Sequence, residues 1–269
     1  MRGGPTSILT GGSMSSIAEP HFGCIVEGAV TLCFNYDYPL NYMQKERVII
    51  SLGGSLVVPD AIDTVFLASF KTLVSSLIAE GFSFVVIVGG GKTARKYQDA
   101  ARALGNPPED DLDWIGIQAT RINAQLLRSV FKGIARENFI KDPTLPIEGN
   151  DSLIIAAGWK PGRSTDYCAV TIAKNLNAKK IINLSNIEYV YESDPKKNPD
   201  AKKFEYLSWK EFRALIPTEW SPGLSSPFDP IAAKEADEAG MEIAVISGTH
   251  LEEIQKYVKG ESFVGTHIN

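Results

Sequence analysis

The sequence predicts an α/β fold, a three-layer αβα sandwich around a mainly parallel sheet. Three observations carry this expectation. From Arg47 onward, short apolar runs recur that are continuous rather than alternating; they give way to glycine or a polar turn; and segments of helical period separate them.

Residues 48–52, Val-Ile-Ile-Ser-Leu, read as a buried strand entering the loop Gly53-Gly54-Ser55. Residues 62–80 follow helical spacing, with Val65, Ala68, Leu73, Leu77 and Ile78 on one apolar face and Gly81 as the stop. A second strand at 84–88 runs into Gly89-Gly90-Gly91, and a helix starts near Thr93. Residues 114–131 read as a long helix, 153–157 as a strand ending at Gly158, 166–177 as a helix and 180–184 as a strand. Helices are expected at 209–215, 230–239 and 251–258, a strand at 243–246, and an edge strand at 265–268.

Residues 1–42 show neither period. They contain Gly11-Gly12-Ser13, end in an aromatic stretch through Tyr36 and Tyr38, and are followed by Met43 just before the first strong strand. A poorly ordered extension or a wrongly chosen start is expected there, with a partner-binding arm as the alternative. One domain is expected over 43–269.

Composition narrows the function. With 27 Lys+Arg against 32 Asp+Glu the net charge is −5, which argues against nucleic acid as the main partner. Small polyanions remain open, because local cations and helix N-termini decide their binding. At 44% hydrophobic and 22% charged, the chain is not globally disordered. Cys24, Cys33 and Cys168 form no Cys-x-x-Cys pair, so neither a disulfide framework nor a zinc site is expected, and a reducing cytoplasm fits. No apolar run reaches the roughly 18 residues of a membrane span. The best candidate, 23–34, carries Glu27 and lacks the flanks of a signal peptide, so no membrane partner is expected.

Three glycine-containing loops at one sheet edge, two of them near Lys92, Arg95 and Arg163, point to phosphate binding. No Gly-x-x-x-x-Gly-Lys-Ser/Thr, no Gly-x-Gly-x-x-Gly and no protein-kinase signature occurs.

Several segments in order then resemble the amino-acid kinase superfamily, and within it the archaeal-type uridylate (UMP) kinases. They are residues 50–55, 89–97, 113–123 (Asp-Trp-Ile-Gly-Ile-Gln-Ala-Thr-Arg-Ile-Asn), 161–166 (Pro-Gly-Arg-Ser-Thr-Asp), 185–195 and 229–234. The resemblance runs from about residue 46 to the C-terminus. It implies transfer of the ATP γ-phosphoryl group to UMP, Mg²⁺ carried with ATP, a homohexamer, a UMP-binding half over 43–183 and an ATP-binding half over 184–269.

By position, the resemblance assigns Gly54, Ser55, Gly91, Arg95, Ser185, Asn186, Tyr191 and Asp194 to ATP. It assigns Gly90, Asp113 and the loop Trp159, Lys160, Pro161, Gly162, Arg163, Ser164 and Thr165 to UMP. Asp166 matches an aspartate that orients cationic groups, and Lys234 a lysine that stabilises the transferring phosphoryl group. Read without the resemblance, Asp113 is equally an exposed or helix-capping residue, Ser164-Thr165-Asp166 an N-cap cluster, Tyr191 ordinary packing and Lys234 a solvated charge.

Two departures stand out. Ser51 occupies the position where many superfamily members have lysine, and Lys92 is the expected substitute. Glu188-Tyr189 replaces a usual Asp-Gly, which puts the donor side in question if that turn needs φ > 0. Alternatives are another small-molecule kinase of the superfamily and a non-catalytic nucleotide- or oxyanion-binding protein.

Overall fold

The computed structural model describes residues 23–27, 30–34, 47–195, 197–219 and 226–269. The chain divides into two units, Met1–Met43 and Gln44–Asn269. In the first, β1 (Gly23–Glu27) pairs antiparallel with β2 (Val30–Phe34), in a register that sets Cys24 opposite Cys33. No strand is expected there from sequence, so this pair is a correction; runs such as Cys24-Ile25-Val26 and Val30-Thr31-Leu32 suit extended backbone. The expectation of poor order elsewhere in 1–42 lies outside the described residues.

In the second unit the elements follow in the order β3 (Arg47–Leu52), α1 (Gly54–Val57), α2 (Thr64–Ala79), β4 (Ser83–Val88), α3 (Gly91–Gly105), α4 (Glu109–Val130), β5 (Leu153–Ala156), α5 (Thr165–Asn175) and β6 (Lys180–Ser185). Then come β7 (Val190–Tyr191), β8 (Lys203–Phe204), β9 (Tyr206–Leu207), α6 (Trp209–Leu215), α7 (Pro230–Glu238), β10 (Glu242–Ser247), α8 (Glu252–Val258) and β11 (Thr266–Ile268). The main sheet has the order β5-β4-β3-β6-β10-β11-β9. Its pairings are parallel except β10 with β11.

Continuous apolar strands work here because both faces are covered. Val48, Ile50 and Leu52 of β3 pack with Phe70 and Leu77 of α2, Leu127 of α4 and Ile254 of α8. Ile49 points the other way, into a core with Cys168 and Ile172 of α5, Phe212 of α6 and Ala232 and Ala236 of α7. Alternate residues of one strand therefore serve opposite layers.

Three expectations change. In α2 the buried residues are Leu67, Phe70, Val74 and Leu77, whereas Val65 is 77% exposed. The stripe is rotated from the expected one because Phe66 and Phe70 turn toward the core, where their rings stack and Phe70 meets Phe131 edge-on. Helix α4 begins at Glu109 rather than 114; the acidic Glu109-Asp110-Asp111 reads as loop by polarity but suits a helix N-terminus by charge. Finally, β11 is an interior strand. It recruits the short β9, with His267 N donating to Glu205 O and Trp209 N to Asn269 O, and β9 forms the edge.

Candidate functional site

The sheet order reverses at β3: β4 and β5 continue to one side, β6 and β10 to the other. Such a switch point opens a crevice beyond the carboxyl ends of the strands. Two depressions of about 450 and 430 Å³ fill it. The first lies on the β6 side and is bordered by Asn183, Ser185, Asn186, Tyr191 and Asp194. The second lies on the β4 and β5 side, bordered by Gly54, Ser55, Gly90, Gly91, Arg95, Asp113, Arg163 and Ser164. Thr165, Asp166 and Ser226 border both.

The glycine loops are shaped first by each other. A Cβ on Gly54 would stand 2.1 Å from Gly91 N, and one on Gly91, whose φ is +62°, would stand 2.3 Å from Gly54 O. Side chains are thus excluded by backbone-to-backbone packing as well as by any ligand. Helix α4 holds the loops from behind. Asn123 Nδ2 donates to the carbonyls of Gly89 at 2.8 Å and Gly90 at 3.3 Å. Thr120 Oγ1 accepts from Gly158 N at 2.8 Å.

Two helix N-termini meet at the junction. Ser164 caps α5, accepting from Tyr167 N at 3.0 Å, and Asp229 caps α7, accepting from Ile231 N at 2.7 Å and Ala232 N at 3.0 Å. The caps are joined, because Ser164 Oγ donates to Asp229 Oδ2 and Asp229 N donates to Asp166 Oδ2 at 3.2 Å. Pro230 at the first position of α7 fits, since that amide has no helical partner. The positive ends of α5 and α7 are thereby presented beside Asp166, an arrangement suited to oxyanions.

Asp166 accepts from Ser51 Oγ at 2.6 Å. Burial pushes its carboxyl up to about 6, the Ser51 hydrogen bond opposes this, and the Asp229 charge adds to the rise. Among the described residues no lysine or arginine lies within ion-pair distance of it. Where many superfamily members have lysine, this chain thus presents a hydroxyl to Asp166.

Asp113 sits a turn inside α4 and does not cap it; its Oδ2 accepts from Gly162 N at 2.8 Å, tying the 159–165 loop to the helix. Arg121 supports the same loop by donating to Trp159 O at 3.2 Å, and Lys160 Nζ lies 4.0 Å from the Trp159 ring centroid. Trp159, Lys160, Pro161 and Gly162 do not border the second depression. The Arg163 guanidinium stacks 4.6 Å from the Tyr167 ring centroid, and its buried Nε has no hydrogen-bond partner among the described residues.

Two expected lysines are not brought to the crevice. Helix α7 buries Pro230, Ala232, Ala233 and Ala236, which turns Lys234 outward; it is 60% exposed, 3.9 Å from Glu238, and borders a separate depression with Lys210 and Arg213. Lys92 donates its backbone N–H to Val58 O at 2.9 Å and borders neither depression. Its charge falls near Asp60, whose carboxyl is held low chiefly by the Lys96 hydrogen bond. Gly54, Ser55, Gly91 and Arg95, expected on the donor, border the second depression together with the expected acceptor residues.

Sequence reading missed Ser51, Thr120, Asn123, Asn183 and Asp229 as builders of the site. Asp229-Pro230 carried the available signal, a capping residue followed by proline. Among the described residues no group of three or more His, Cys, Asp or Glu is placed to hold a metal ion, and no helix is long and apolar enough to cross a membrane.

Comparisons with known proteins agree with this fold. The chain is 33% identical over 229 residues to a uridylate kinase of Natronomonas pharaonis, covering 82% of this chain and 98% of that protein. It is 35% identical over 227 residues to a uridylate kinase of Methanocorpusculum labreanum, covering 82% and 95%. The crystal structure of uridylate kinase from Archaeoglobus fulgidus superposes with a TM-score of 0.69 at 34% identity, covering 82% of this chain and 99% of that one. The profile of the amino acid kinase family matches residues 46–247. Because that match runs from the residue before β3 to the last residue of β10, and so takes in every loop of the crevice, the chain belongs to the amino acid kinase family.

Proposed function

We propose that this protein is a uridylate kinase, transferring the γ-phosphoryl group of Mg-ATP to UMP to give UDP and ADP. The observation that carries the reading is the pair of depressions meeting at Thr165 and Asp166 on the switch point of the sheet. Its acceptor identity rests on the curated uridylate kinases, which align over nearly their whole length.

The chemistry fits these residues. The acceptor is a phosphate whose second pKa is about 6, so near pH 7 it is largely a dianion and needs no general base. A phosphate oxygen of UMP forms the new P–O bond as the bond from the γ-phosphorus to the ADP oxygen breaks. The obstacle is repulsion between two polyanions, so positioning and positive potential supply the catalysis. Arg95 and Arg163, the loop amides of Gly54, Ser55, Gly90 and Gly91, and the N-termini of α5 and α7 serve that need. Asp166 keeps the two helix starts in register and is the positioning residue of the junction. Glu192 and Asp194 border the first depression and would face Mg²⁺ brought in with the donor, which would offset the charge of its phosphates.

Ser185, Asn186, Tyr191 and Asp194 hold the donor nucleoside in this reading. Asp113 holds the acceptor loop closed on UMP through Gly162. A homohexamer and a cytoplasmic location belong to the same reading; light scattering of the purified protein tests the first. The activity is tested by a coupled assay of ADP release with UMP, CMP, dUMP and isopentenyl phosphate as acceptors. Turnover confined largely to UMP is expected, and a folded protein that turns over none of it with Mg-ATP refutes the proposal.

A further inference from the structure

The first depression contains an aromatic residue that the resemblance does not account for. Tyr189 is only 7% exposed, yet it borders the depression. Its ring meets that of Tyr191 edge-on, with centroids 6.4 Å apart at 88°. The Lys203 ammonium lies 4.2 Å from the Tyr189 ring centroid, and Lys203, which does not border the depression, is paired with Glu205 at 3.1 Å. The β7–β8 register sets Tyr191 opposite Lys203, so one short ribbon carries both neighbours of the Tyr189 ring.

The backbone accepts this side chain without strain. Among the described residues, only Asn106 and Asn177 combine a side chain with positive φ, so the turn at Glu188-Tyr189 does not need glycine. The next residue is fixed as well, with Val190 N donating to Thr266 Oγ1 at 2.8 Å. Leu215 and Ile216 add aliphatic residues to the border of the same depression. Aromatic and aliphatic residues on one border suit a flat, apolar-faced ring.

We propose that Tyr189 is a specificity-determining residue of the donor site: its ring borders the depression that takes the nucleobase of the phosphoryl donor and sets donor affinity. The inference rests on the first depression being the donor side. Contact with an aromatic ring strengthens base binding, and the Lys203 cation holds the ring in place.

The test is calorimetric titration of the full chain with MgADP and, separately, with UMP, for wild type, Y189F, Y189L and Y189G. Y189F is expected to stay within about twofold of wild type, and Y189L and Y189G to bind MgADP roughly tenfold more weakly while UMP affinity holds. Y189L keeps most of the buried volume, so the comparison survives if Y189G does not fold. Unchanged MgADP affinity in Y189L, a parallel loss of UMP affinity, or a wild type that binds no MgADP would each overturn the proposal. A wild type that binds MgADP with the expected Tyr189 dependence but phosphorylates no UMP would instead overturn the uridylate kinase reading and leave this one standing.

Discussion

Ser51 Oγ on β3 donates a 2.6 Å hydrogen bond to Asp166 Oδ1 in the first turn of α5, at the point where the two depressions meet. A neutral donor leaves the cost of burying the Asp166 charge only partly offset, which is why its carboxyl sits at about 6 rather than at its ordinary 3.8.

The sign of the resulting pH dependence follows by linkage. The folded protein holds this proton more tightly than the unfolded chain, so the favourable contribution is complete below pH 3.8 and is lost as pH rises through about 6. Asp166→Asn never ionises. Its urea midpoint should therefore gain on wild type between those pH values, by about 1–3 kcal/mol in stability, and stay level above them. Phosphoryl transfer to UMP should fall by about a hundredfold or more. A stability difference that is flat with pH would refute the destabilised carboxylate.

Gly54→Ala should be among the most damaging single-methyl changes available, because the new Cβ meets backbone 2.1 Å away that has nowhere to move. A loss of about 3 kcal/mol or more, or failure to fold, is expected in denaturant unfolding. Gly105→Ala is the control. Nothing lies within 4 Å of its added Cβ at the end of α3, and a gain of about 0.5 kcal/mol is expected from helix propensity.

Asn123→Ala removes the donor that holds the Gly89 and Gly90 carbonyls. The buried Gly89 carbonyl then loses its partner and the half-buried Gly90 carbonyl keeps only Ala94 N at 3.4 Å, at a cost of about 1–3 kcal/mol in stability. Because those carbonyls orient the second loop, the KM for UMP should rise severalfold. An unchanged KM beside the stability loss would confine Asn123 to folding.

Lys234→Ala should leave turnover within about twofold of wild type and stability within about 0.5 kcal/mol, since an exposed i,i+4 pair 3.9 Å apart contributes little. A hundredfold fall in kcat would return Lys234 to the transfer step.

The architecture was readable because burial on both faces demands continuous apolar strands, and Val48–Leu52, Phe84–Val88 and Ile243–Ile246 have no other use for such runs. Residue order also placed the three glycine loops at one edge, since strands joined through helices run parallel. Helix faces were less readable. In α2, two overlapping apolar stripes were available, and only contact with Phe131 and β3 selected Leu67, Phe70 and Val74 over Val65 and Ala68.

By itself, then, the sequence determined the layers, the glycine loops and the capping signal at Ser164, because each depends on local chemistry and period. Tertiary structure decided what those signals serve. It brought Ser51 of β3 and Asp229 of α7 onto opposite oxygens of Asp166, and it turned Lys234 outward by burying the alanine face of its helix. Such outcomes depend on how distant segments pack, and the charge of a lysine is the same in either orientation.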